Sequence, residues 1–403
     1  MKTNTARVLS AELEGINATL VEVEADINVG LHAFNIVGLA DKAVSEAKER
    51  VNSALKNSGI KPPSKENRKI VVNLAPADVR KTGSHFDLAI AAAYLLGSGQ
   101  IKPFETANKL FAGELSLEGK VKSVRGALAL AKLAEKLKIE YLFLPAANAE
   151  EAALIKEVRV VGLENLKDMI EKLEERKPLN IQKLTVFEPD SHPHRYFNEI
   201  RGQESAKRAL MVGAAGGHHI LLEGPPGAGK TLLAQSLGEL LPPPSLEEAV
   251  EINQIWSSSS LEKSGGGLIR RRPFRSPHHS ASLVSVVGGG PQLKPGEITL
   301  AHRGVLFLDE FPEFHRDVLE ACRQPLENKT VTVSRAKGTL HFPANFMLIA
   351  AMNPCPCGYF GDTEKECKCT GNEIFRYQKK ISGPLLDRID IQINVPRVKT
   401  GEL

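Results

Sequence analysis

The chain has 403 residues, 42% of them hydrophobic and 25% charged, and such a composition is typical of a soluble globular protein with two domains. No stretch approaches the roughly 18 unbroken apolar residues of a membrane helix, and Met1 to Ser10 lack a secretory signal, so no membrane partner is expected. Five cysteines without a disulfide framework predict a cytoplasmic location. A net charge of +4 is compatible with binding to nucleic acid but does not require it.

The first part of the chain alternates strand and helix patterns. Apolar and polar residues alternate between Ala6 and Val37, as in half-buried strands, and Asp41 is placed to cap a following helix. The elements predicted after Asp41 are helices at 43–55, 87–96 and 127–137 and strands at 69–74 and 110–117. The sequence therefore predicts an α+β domain with its own core over residues 1–170.

Residues 171–195 are charged, contain three prolines and show no sustained apolar period. Such a segment is typical of a linker between domains. A second domain is therefore predicted over residues 196–403.

A phosphate-binding loop opens the second domain. A buried strand is predicted at 219–223 and a helix at 232–240. The loop between them consists of Gly224, Pro225, Pro226, Gly227, Ala228, Gly229, Lys230 and Thr231. Backbone N–H groups and Lys230 would hold the phosphates of ATP, and the Thr231 hydroxyl would bind Mg²⁺. A glycine-rich turn without a ligand is the alternative, and the complete motif between a strand and a helix disfavours it.

Two further strands end in polar side chains. The apolar strand 305–308 ends in Asp309 and Glu310, and the strand 346–351 leads to Asn353. In a parallel sheet these ends meet at one edge. We expect Asp309 to hold Mg²⁺ through water, Glu310 to polarise the attacking water, and Asn353 to contact the γ-phosphate or that water. Alone, Asn353 would be interpreted as a turn residue before proline.

Five stretches resemble one family. They are 200–207 (IRGQESAK), 272–282 (RPFRSPHHSAS), 296–310 (GEITLAHRGVLFLDE), 351–358 (AMNPCPCG) and 382–390 (SGPLLDRID). In them the chain resembles the magnesium-chelatase-like AAA+ ATPases of the ComM/YifB type. The resemblance implies an α/β protein whose second domain is a P-loop AAA+ αβα core.

The resemblance also implies a hexameric ring with ATP bound between subunits. Arg388 would then reach a neighbour's γ-phosphate as an arginine finger, and Gln203 would border the adenine. A surface salt bridge from Arg388 to Asp387 or Asp390 is the alternative. Such ATPases carry a helical lid after the last core strand, and the sequence stops just beyond 391–395. We therefore expect the lid to be missing, because the sequence is either a fragment or a truncated product. Efficient hydrolysis and ring assembly are then in doubt, whereas ATP binding should survive in weakened form.

Members of the ComM type are ring helicases that drive branch migration in natural transformation, so the resemblance implies DNA as a partner. The residues offer local support, since 328–342 alternates like a hairpin with Arg335 and Lys337 at its turn. A merely solvated hairpin is the alternative. A second basic segment, Arg270 to Arg275 with His278 and His279, is a further candidate to contact DNA or a neighbouring subunit.

The first domain resembles the proteolytic domain of Lon proteases, through 113–121 (GELSLEGKV) and 141–146 (YLFLPA). The position of the nucleophilic serine is occupied by His85, with Ser84 one place away, and that of its lysine partner by Leu128. An apolar side chain cannot activate a nucleophile. We therefore expect a Lon-protease-like, ChlI-type fold without peptidase activity.

Four cysteines lie close together in the sequence: Cys355, Cys357, Cys367 and Cys369. Four thiolates can close a tetrahedral Zn²⁺ site, although one residue within each pair is fewer than the usual spacing. Whether Zn²⁺ binds stays open. Cys322, in a predicted helix, is expected to be a packed core residue.

The sequence thus predicts an ATP-hydrolysing AAA+ protein, with a DNA-associated ring motor preferred. The alternative is a chelatase-type ATPase subunit that remodels a protein partner. DNA-stimulated ATP hydrolysis would distinguish the two, because coupling between two ligands is reciprocal.

Overall fold

The computed structural model describes residues 5–65, 67–190, 195–259, 267–290, 293–335 and 338–398. The chain divides into two compact units, the first containing the described residues up to Phe187 together with Gly267 and Leu268, and the second containing Glu188–Ser259 and the residues from Ile269 onward. Within these ranges no helix has the length and apolar character that a bilayer crossing requires.

The first unit is built on a seven-stranded mixed sheet. The strands of this unit, including two outside the sheet, are β1 (Thr5–Glu14), β2 (Asn17–Val29), β3 (Ala33–Val37), β4 (Arg68–Ala75), β5 (Lys109–Phe111), β6 (Glu114–Leu115), β7 (Val121–Lys122), β8 (Tyr141–Pro145) and β9 (Arg159–Leu163). Its helices are α1 (Lys42–Ser45), α2 (Ala47–Asn57), α3 (Asp87–Gly97), α4 (Ala127–Lys136), α5 (Ala146–Ala152) and α6 (Leu166–Leu173), with a 3₁₀ turn at Pro63–Lys65. The sheet order is β3-β4-β2-β1-β5-β8-β9, and β6 pairs with β7 apart from it.

Helix α3 is the centre of the first core. All its residues from Asp87 to Leu95 are buried, and four of them are alanines, which let the helix lie close to the sheet. A helix that is apolar on every side is typical of a fully enclosed position. The predicted helix at 87–96 is confirmed.

Two predicted elements are interrupted. The predicted helix over 43–55 is two helices, α1 and α2, because Arg50 donates to the Ala43 carbonyl that an unbroken helix would bond to Ala47. The predicted strand over 110–117 breaks after β5. Here Gly113 donates to the carbonyl of His85 and accepts from Leu88, so its backbone pairs with the start of α3 instead of a strand.

The positions that the Lon resemblance assigns to a peptidase dyad have other partners. Nε2 of His85 lies 2.8 Å from the Ala11 carbonyl, and burial lowers the pKa of His85 to about 4. Leu128 is fully buried on α4, and the Ser84 hydroxyl donates to Glu114. None of these described contacts pairs a serine with a lysine.

Residues of the predicted linker pack on the first unit. Residues 171–173 complete α6, Gln182 donates to the Val160 carbonyl at 2.8 Å, and Thr185 donates to Ala153 at 3.0 Å. The unit therefore extends to Phe187, within the segment 171–195 that the sequence assigns to a linker.

The second unit is built on a parallel five-stranded sheet. The strands of this unit, including four outside the sheet, are β10 (Ile220–Glu223), β11 (Phe274–Arg275), β12 (Gly288–Gly289), β13 (Lys294–Pro295), β14 (Val305–Leu308), β15 (Thr330–Arg335), β16 (Gly338–Pro343), β17 (Met347–Met352) and β18 (Ile391–Asn394). Its helices are α7 (Arg195–Glu199), α8 (Glu204–Gly216), α9 (Lys230–Leu240), α10 (Leu246–Ser258), α11 (Leu283–Val287), α12 (Glu297–Leu300), α13 (Arg316–Ala321), α14 (Arg323–Asn328), α15 (Gly371–Gln378) and α16 (Gly383–Leu386), with a 3₁₀ turn at Phe311–Glu313.

The sheet order is β11-β14-β17-β10-β18, while β12 pairs with β13 and β15 with β16 in separate ribbons. Strands β14 and β17 are buried along their whole length, as parallel strands covered on both faces require. The predicted α/β class is confirmed, with an α+β unit followed by a parallel αβα unit.

Glu12 on β1 gives the first unit a pH-dependent stability. Its carboxylate accepts from the Thr82 N–H at 2.9 Å and the Thr82 hydroxyl at 2.6 Å, yet its burial raises the pKa from 4.5 to about 7. Because the carboxyl group of Glu12 has a higher pKa in the folded than in the unfolded protein, its contribution to stability is fully present at a pH below the unfolded-state pKa. This contribution is lost as the pH rises through the folded-state pKa.

We expect the free energy of unfolding to fall by up to about 3 kcal/mol between pH 5 and pH 8 through Glu12 alone. Glu12→Gln cannot ionise and should flatten this dependence in calorimetry. Glu49→Gln, at an exposed site on α2 in the same unit, should behave as wild type. Equal pH dependence in Glu12→Gln and wild type would contradict the assignment.

Candidate nucleotide site

The loop between β10 and α9 has the backbone of a phosphate-binding loop. Gly227 and Gly229 have φ values of 80° and 88°, a left-handed conformation that glycine adopts without steric cost. Gly229 immediately precedes α9, so the amino terminus of that helix opens onto the loop. The loop can therefore present backbone N–H groups and a helix dipole to an anion.

Lys230 is folded over this loop. Its Nζ donates to the carbonyls of Gly224 at 2.6 Å and Pro225 at 3.0 Å, and to Oδ1 of Asn353 at 3.1 Å. Burial lowers the pKa of Lys230, and the nearby charge of Asp309 opposes that shift. The ammonium group thus links the loop to the end of β17.

The sheet register brings the polar residues to one edge. Leu308 of β14 pairs with Ala350 of β17, and Met352 of β17 pairs with Glu223 of β10. The chain leaves each strand at that edge, so Asp309, Asn353 and Gly224 follow side by side. Positions far apart in the sequence therefore meet.

A hydroxyl and a carboxylate meet at this edge. Oγ1 of Thr231 lies 3.1 Å from Oδ2 of Asp309. Hard oxygen donors of this kind suit Mg²⁺, which keeps its other positions for water and phosphate oxygens. The predicted pair Thr231 and Asp309 thus fits a magnesium ion.

Glu310 has a different partner from its neighbour. Its backbone is left-handed, with φ 52°, its N–H donates to Oδ1 of Asp309, and its Oε2 lies 2.8 Å from Nδ1 of His279. The sequence singles out both Glu310 and His279, but no pattern in it connects them. This contact was missed.

Gln203 lines a cavity of about 360 Å³ beside the loop. Its Nε2 donates to the Pro396 carbonyl at 2.6 Å and lies 3.4 Å from the Ala228 carbonyl. The other lining residues are Glu204, Ser205, Asn394, Pro396, Arg397 and Val398. The structure thus places Gln203 between the phosphate-binding loop and the end of β18.

Arg388 is not paired with the carboxylates that the sequence suggested. Its guanidinium contacts Glu327 at 2.6 and 2.8 Å, whereas Asp390 accepts from the His219 N–H at 2.9 Å. These contacts of Arg388 lie within one chain. The role expected for Arg388 at the ATP of a neighbouring subunit therefore stays a prediction. Glu327 is a partner that sequence reasoning missed, because only the fold brings α14 to the end of α16.

The hairpin predicted over 328–342 is present. Strands β15 and β16 pair in antiparallel register from Thr330 opposite Pro343 to Arg335 opposite Gly338. The side chain of Arg335 and the whole of Lys337 lie outside the described residues. Arg335 is thus placed at the hairpin end by its backbone alone.

Three of the four arginines of the second basic segment are paired with acidic side chains, while Arg270 donates to the Glu188 carbonyl at 3.2 Å. Arg271 contacts Asp190, Arg272 contacts Glu248, and Arg275 forms a bidentate pair with Glu297 at 2.5 and 2.8 Å. The segment therefore carries less free positive charge than its sequence indicates.

The four clustered cysteines converge. Three sulfur pairs among Cys355, Cys357 and Cys367 are 3.3, 3.7 and 3.6 Å apart, and the Cys369 sulfur lies within 4.8 Å of the others. Zn–S bonds of about 2.3 Å in a tetrahedron require sulfur separations of about 3.8 Å. The cluster can hold a metal ion. Cys322, by contrast, is fully buried, and burial raises its pKa to about 12.

Comparison with known proteins decides the family. The family described as "Magnesium chelatase, subunit ChlI" matches residues 196–403, and "Subunit ChlI of Mg-chelatase" matches residues 23–148. "Competence protein ComM" of Haemophilus influenzae is 42% identical over 99% of this chain and 78% of its own. The chain belongs to the ComM/YifB family of magnesium-chelatase-like AAA+ ATPases.

Other relatives agree with this assignment. "Uncharacterized protein YifB" of Escherichia coli is 43% identical over 96% of this chain and 75% of its own. "Lon protease 2" of Bacillus subtilis is 29% identical over 43% of this chain and 36% of its own, in agreement with a Lon-like first unit. Family membership supports ATP hydrolysis and implies ATP and Mg²⁺ as cofactors.

The Thr231–Asp309 pair makes a prediction about magnesium. Thr231→Val keeps the shape of the side chain but loses the oxygen, so affinity for Mg·ATP should fall about tenfold or more while metal-free ATP binds nearly as before. A fluorescent ATP analogue titrated with Mg²⁺ and with chelator would measure both affinities. Thr332→Val, whose hydroxyl bonds His341, is the matched control. If Thr231→Val lost the same ATP affinity with and without Mg²⁺, the assignment of Thr231 to the magnesium site would be contradicted.

Proposed function

We propose that this protein hydrolyses ATP as the motor of a DNA-associated ring, of the branch-migration helicase type, in the cytoplasm. The observation that carries the proposal is the convergence of Lys230, Thr231, Asp309 and Asn353 at one sheet edge, through contacts of 3.1 Å. A relative at 42% identity is named a competence protein, which supports a role in natural transformation.

The residues of the site divide the work of phosphoryl transfer. The loop N–H groups and Lys230 bind the β- and γ-phosphates, and Thr231 and Asp309 hold Mg²⁺, which neutralises charge on the phosphates. Glu310 orients the attacking water and accepts its proton, while Asn353 donates to the γ-phosphate or that water. Gln203 borders the adenine.

The proposed ring is a homo-hexamer. In it Arg388 exchanges Glu327 for the γ-phosphate of a neighbouring subunit and stabilises the charge that develops there. The Arg388–Glu327 pair supports this exchange, because both side chains are partly exposed, at 47% and 39%, and such pairs are weak.

DNA is the proposed partner of the β15–β16 hairpin. A hairpin that stands apart from the main sheet can reach into a ring's pore, where Arg335 and Lys337 would contact phosphates. The alternative, a chelatase-type subunit that remodels a protein partner, is favoured by the family description that matches residues 196–403. The two differ in whether DNA accelerates ATP hydrolysis.

The test is ATP turnover with and without single-stranded and branched DNA. We expect DNA to stimulate turnover, and Glu310→Gln to lower kcat at least about 100-fold while ATP still binds. Turnover indifferent to DNA would shift the proposal to a protein-remodelling ATPase. Full turnover in Glu310→Gln would contradict the catalytic assignment.

The hairpin can be tested in the same assay. Arg335→Ala/Lys337→Ala should lose stimulation, keep basal turnover, and reduce the salt slope of single-strand binding by about 1.4. Lys48→Ala/Lys56→Ala, at exposed positions on α2, removes the same charge elsewhere. Equal losses of DNA stimulation in both double variants would show that the effect depends only on net charge and would contradict a role of the hairpin.

The cysteine cluster is proposed to bind Zn²⁺. The sulfurs of Cys355, Cys357 and Cys367 are 3.3 to 3.7 Å apart, and the fourth sulfur lies within 4.8 Å of them, close to the separation in a tetrahedral thiolate site. These three separations are all longer than a disulfide bond. The loop follows Asn353 directly, and the Gln378 side chain donates to the Pro354 carbonyl at 3.3 Å. The metal would thus stiffen the chain that leads out of β17.

Metal analysis of the purified protein should find about one zinc ion per chain. Cys355→Ser and Cys367→Ser should each lose most of it, whereas Cys322→Ser should retain it, because its sulfur bonds the Val318 carbonyl instead. Zinc-free wild-type protein, purified without chelator, would rule the site out.

A further inference from the structure

An arginine in the wall of the cavity beside the phosphate-binding loop is held by the segment that carries the four cysteines. Arg397 follows β18 and lines the cavity of about 360 Å³ that Gln203 also borders. One guanidinium nitrogen of Arg397 contacts Oδ2 of Asp362 at 3.2 Å, and the other contacts Oε2 of Glu364 at 3.3 Å. Both carboxylates belong to residues 355–369, which we call the cysteine loop. The cavity and the cysteine loop are therefore joined by one side chain.

The carboxylate of Asp362 organises the cysteine loop as well as the arginine. Its Oδ1 accepts from the N–H of Glu364 at 2.7 Å and from the N–H of Lys365 at 3.3 Å, which closes a turn between the two cysteine pairs. Its other oxygen contacts Arg397, and the Asp362 side chain is only 1% exposed. Removing the charged partner of a buried carboxylate costs far more than breaking an exposed ion pair. The position of Arg397 therefore depends on the fold of the cysteine loop.

The cysteine loop also lies against the phosphate-binding loop. Gly358 follows Cys357 directly, has a φ of 87°, and donates its N–H to the Cys355 carbonyl at 3.0 Å. A Cβ atom at Gly358 would lie 2.7 Å from Cδ of Pro226, closer than packed carbon atoms come. The backbone beside two of the cysteines is thus packed closely on the loop expected to hold the phosphates of ATP.

The guanidinium group of Arg397 retains a donor that the protein does not use. Its Nε is buried and has no hydrogen-bond partner among the residues that the structure describes. A buried N–H group without an acceptor is costly, and the ring nitrogens of a nucleotide base are acceptors. A planar guanidinium group also stacks on aromatic rings. A base is therefore a ligand that suits the Arg397 side of the cavity.

We propose that Arg397 binds the nucleotide base and that a metal ion at the four cysteines holds it in place, so that metal and nucleotide bind cooperatively. Four metal–sulfur bonds would fix both ends of the segment 358–366, which contains the two carboxylates that contact Arg397. Because coupling is reciprocal, ATP would strengthen metal binding in turn. This inference rests on the proposed nucleotide and Zn²⁺ sites. It adds a link between them that needs neither DNA nor hydrolysis.

The first test measures how zinc changes the affinity for a non-hydrolysable ATP analogue labelled on its ribose. Zinc-loaded protein is compared with protein treated with a zinc-selective chelator that leaves Mg²⁺ in solution. Removing zinc should raise the Kd of the analogue about fivefold or more, the size of an ordinary coupling between two sites. Conversely, saturating analogue should raise the affinity for zinc by the same factor. Equal affinities with and without zinc would overturn the coupling.

Two variants break the link at either end without changing a cysteine. Asp362→Asn keeps an oxygen for the loop N–H groups but loses the charge, and Arg397→Met keeps an apolar stem. Each should retain its zinc, bind the analogue about fivefold more weakly, and lose most of the effect of chelation. Because both remove the same contact, the double variant should lose little more than either single variant. Asp190→Asn, which breaks an ion pair with Arg271 in the same unit, is the matched control and should bind as wild type.

Inorganic tripolyphosphate, which carries phosphates without a base, separates base binding from phosphate binding. Arg397→Met should bind tripolyphosphate as tightly as wild type does. An equal loss of affinity for tripolyphosphate and for the analogue would overturn the assignment of Arg397 to the base.

The outcomes separate this inference from the proposals on which it rests. If wild-type protein binds zinc and the analogue, and neither chelation nor the two variants change the Kd, the link is overturned and both proposed sites stand. If wild-type protein holds no zinc, the zinc site and the link are overturned together. If it does not bind the analogue, the proposed nucleotide site is overturned as well.

Discussion

The nucleotide site depends on the parallel pairing of β14, β17 and β10. Because these strands run in one direction and in register, their carboxyl ends lie at one edge, and the chain leaves all three there. A hydroxyl–carboxylate pair that fits Mg²⁺ and a lysine–asparagine contact result from residues far apart in the sequence. Slipping one strand by a single residue would turn every side chain of that strand to the opposite face.

The parts of the site that the sequence predicts are those carried by local patterns. The phosphate-binding loop is recognisable because its glycines stand between an apolar strand and a helix, and Asp309 and Asn353 because each follows an apolar strand. The Thr231–Asp309 contact then follows from sheet geometry alone. The α/β class is predictable for the same reason, since strands and helices alternate along both units.

Contacts made by surface side chains are not predictable in this way. Arg388 has three acidic candidates within reach, and the choice of Glu327 over Asp387 and Asp390 depends on how α14 packs near α16. The His279–Glu310 contact likewise depends on β11, a strand of two residues that no periodicity could reveal. Predicted boundaries of helices and strands are wrong where a side chain competes for a backbone group, as the Arg50 side chain does at the Ala43 carbonyl.

Strand β18 has a consequence for synthesis of the protein. It pairs with the whole of β10, yet Ile391 leaves the ribosome long after its partner Ile220. Until then one edge of the apolar β10 lacks its native neighbour, and unpaired apolar edges invite association with other chains. The strand that leads into the phosphate-binding loop is thus among the last to be enclosed. Nascent chains are the form of this protein in which aggregation, and help from chaperones, should matter most.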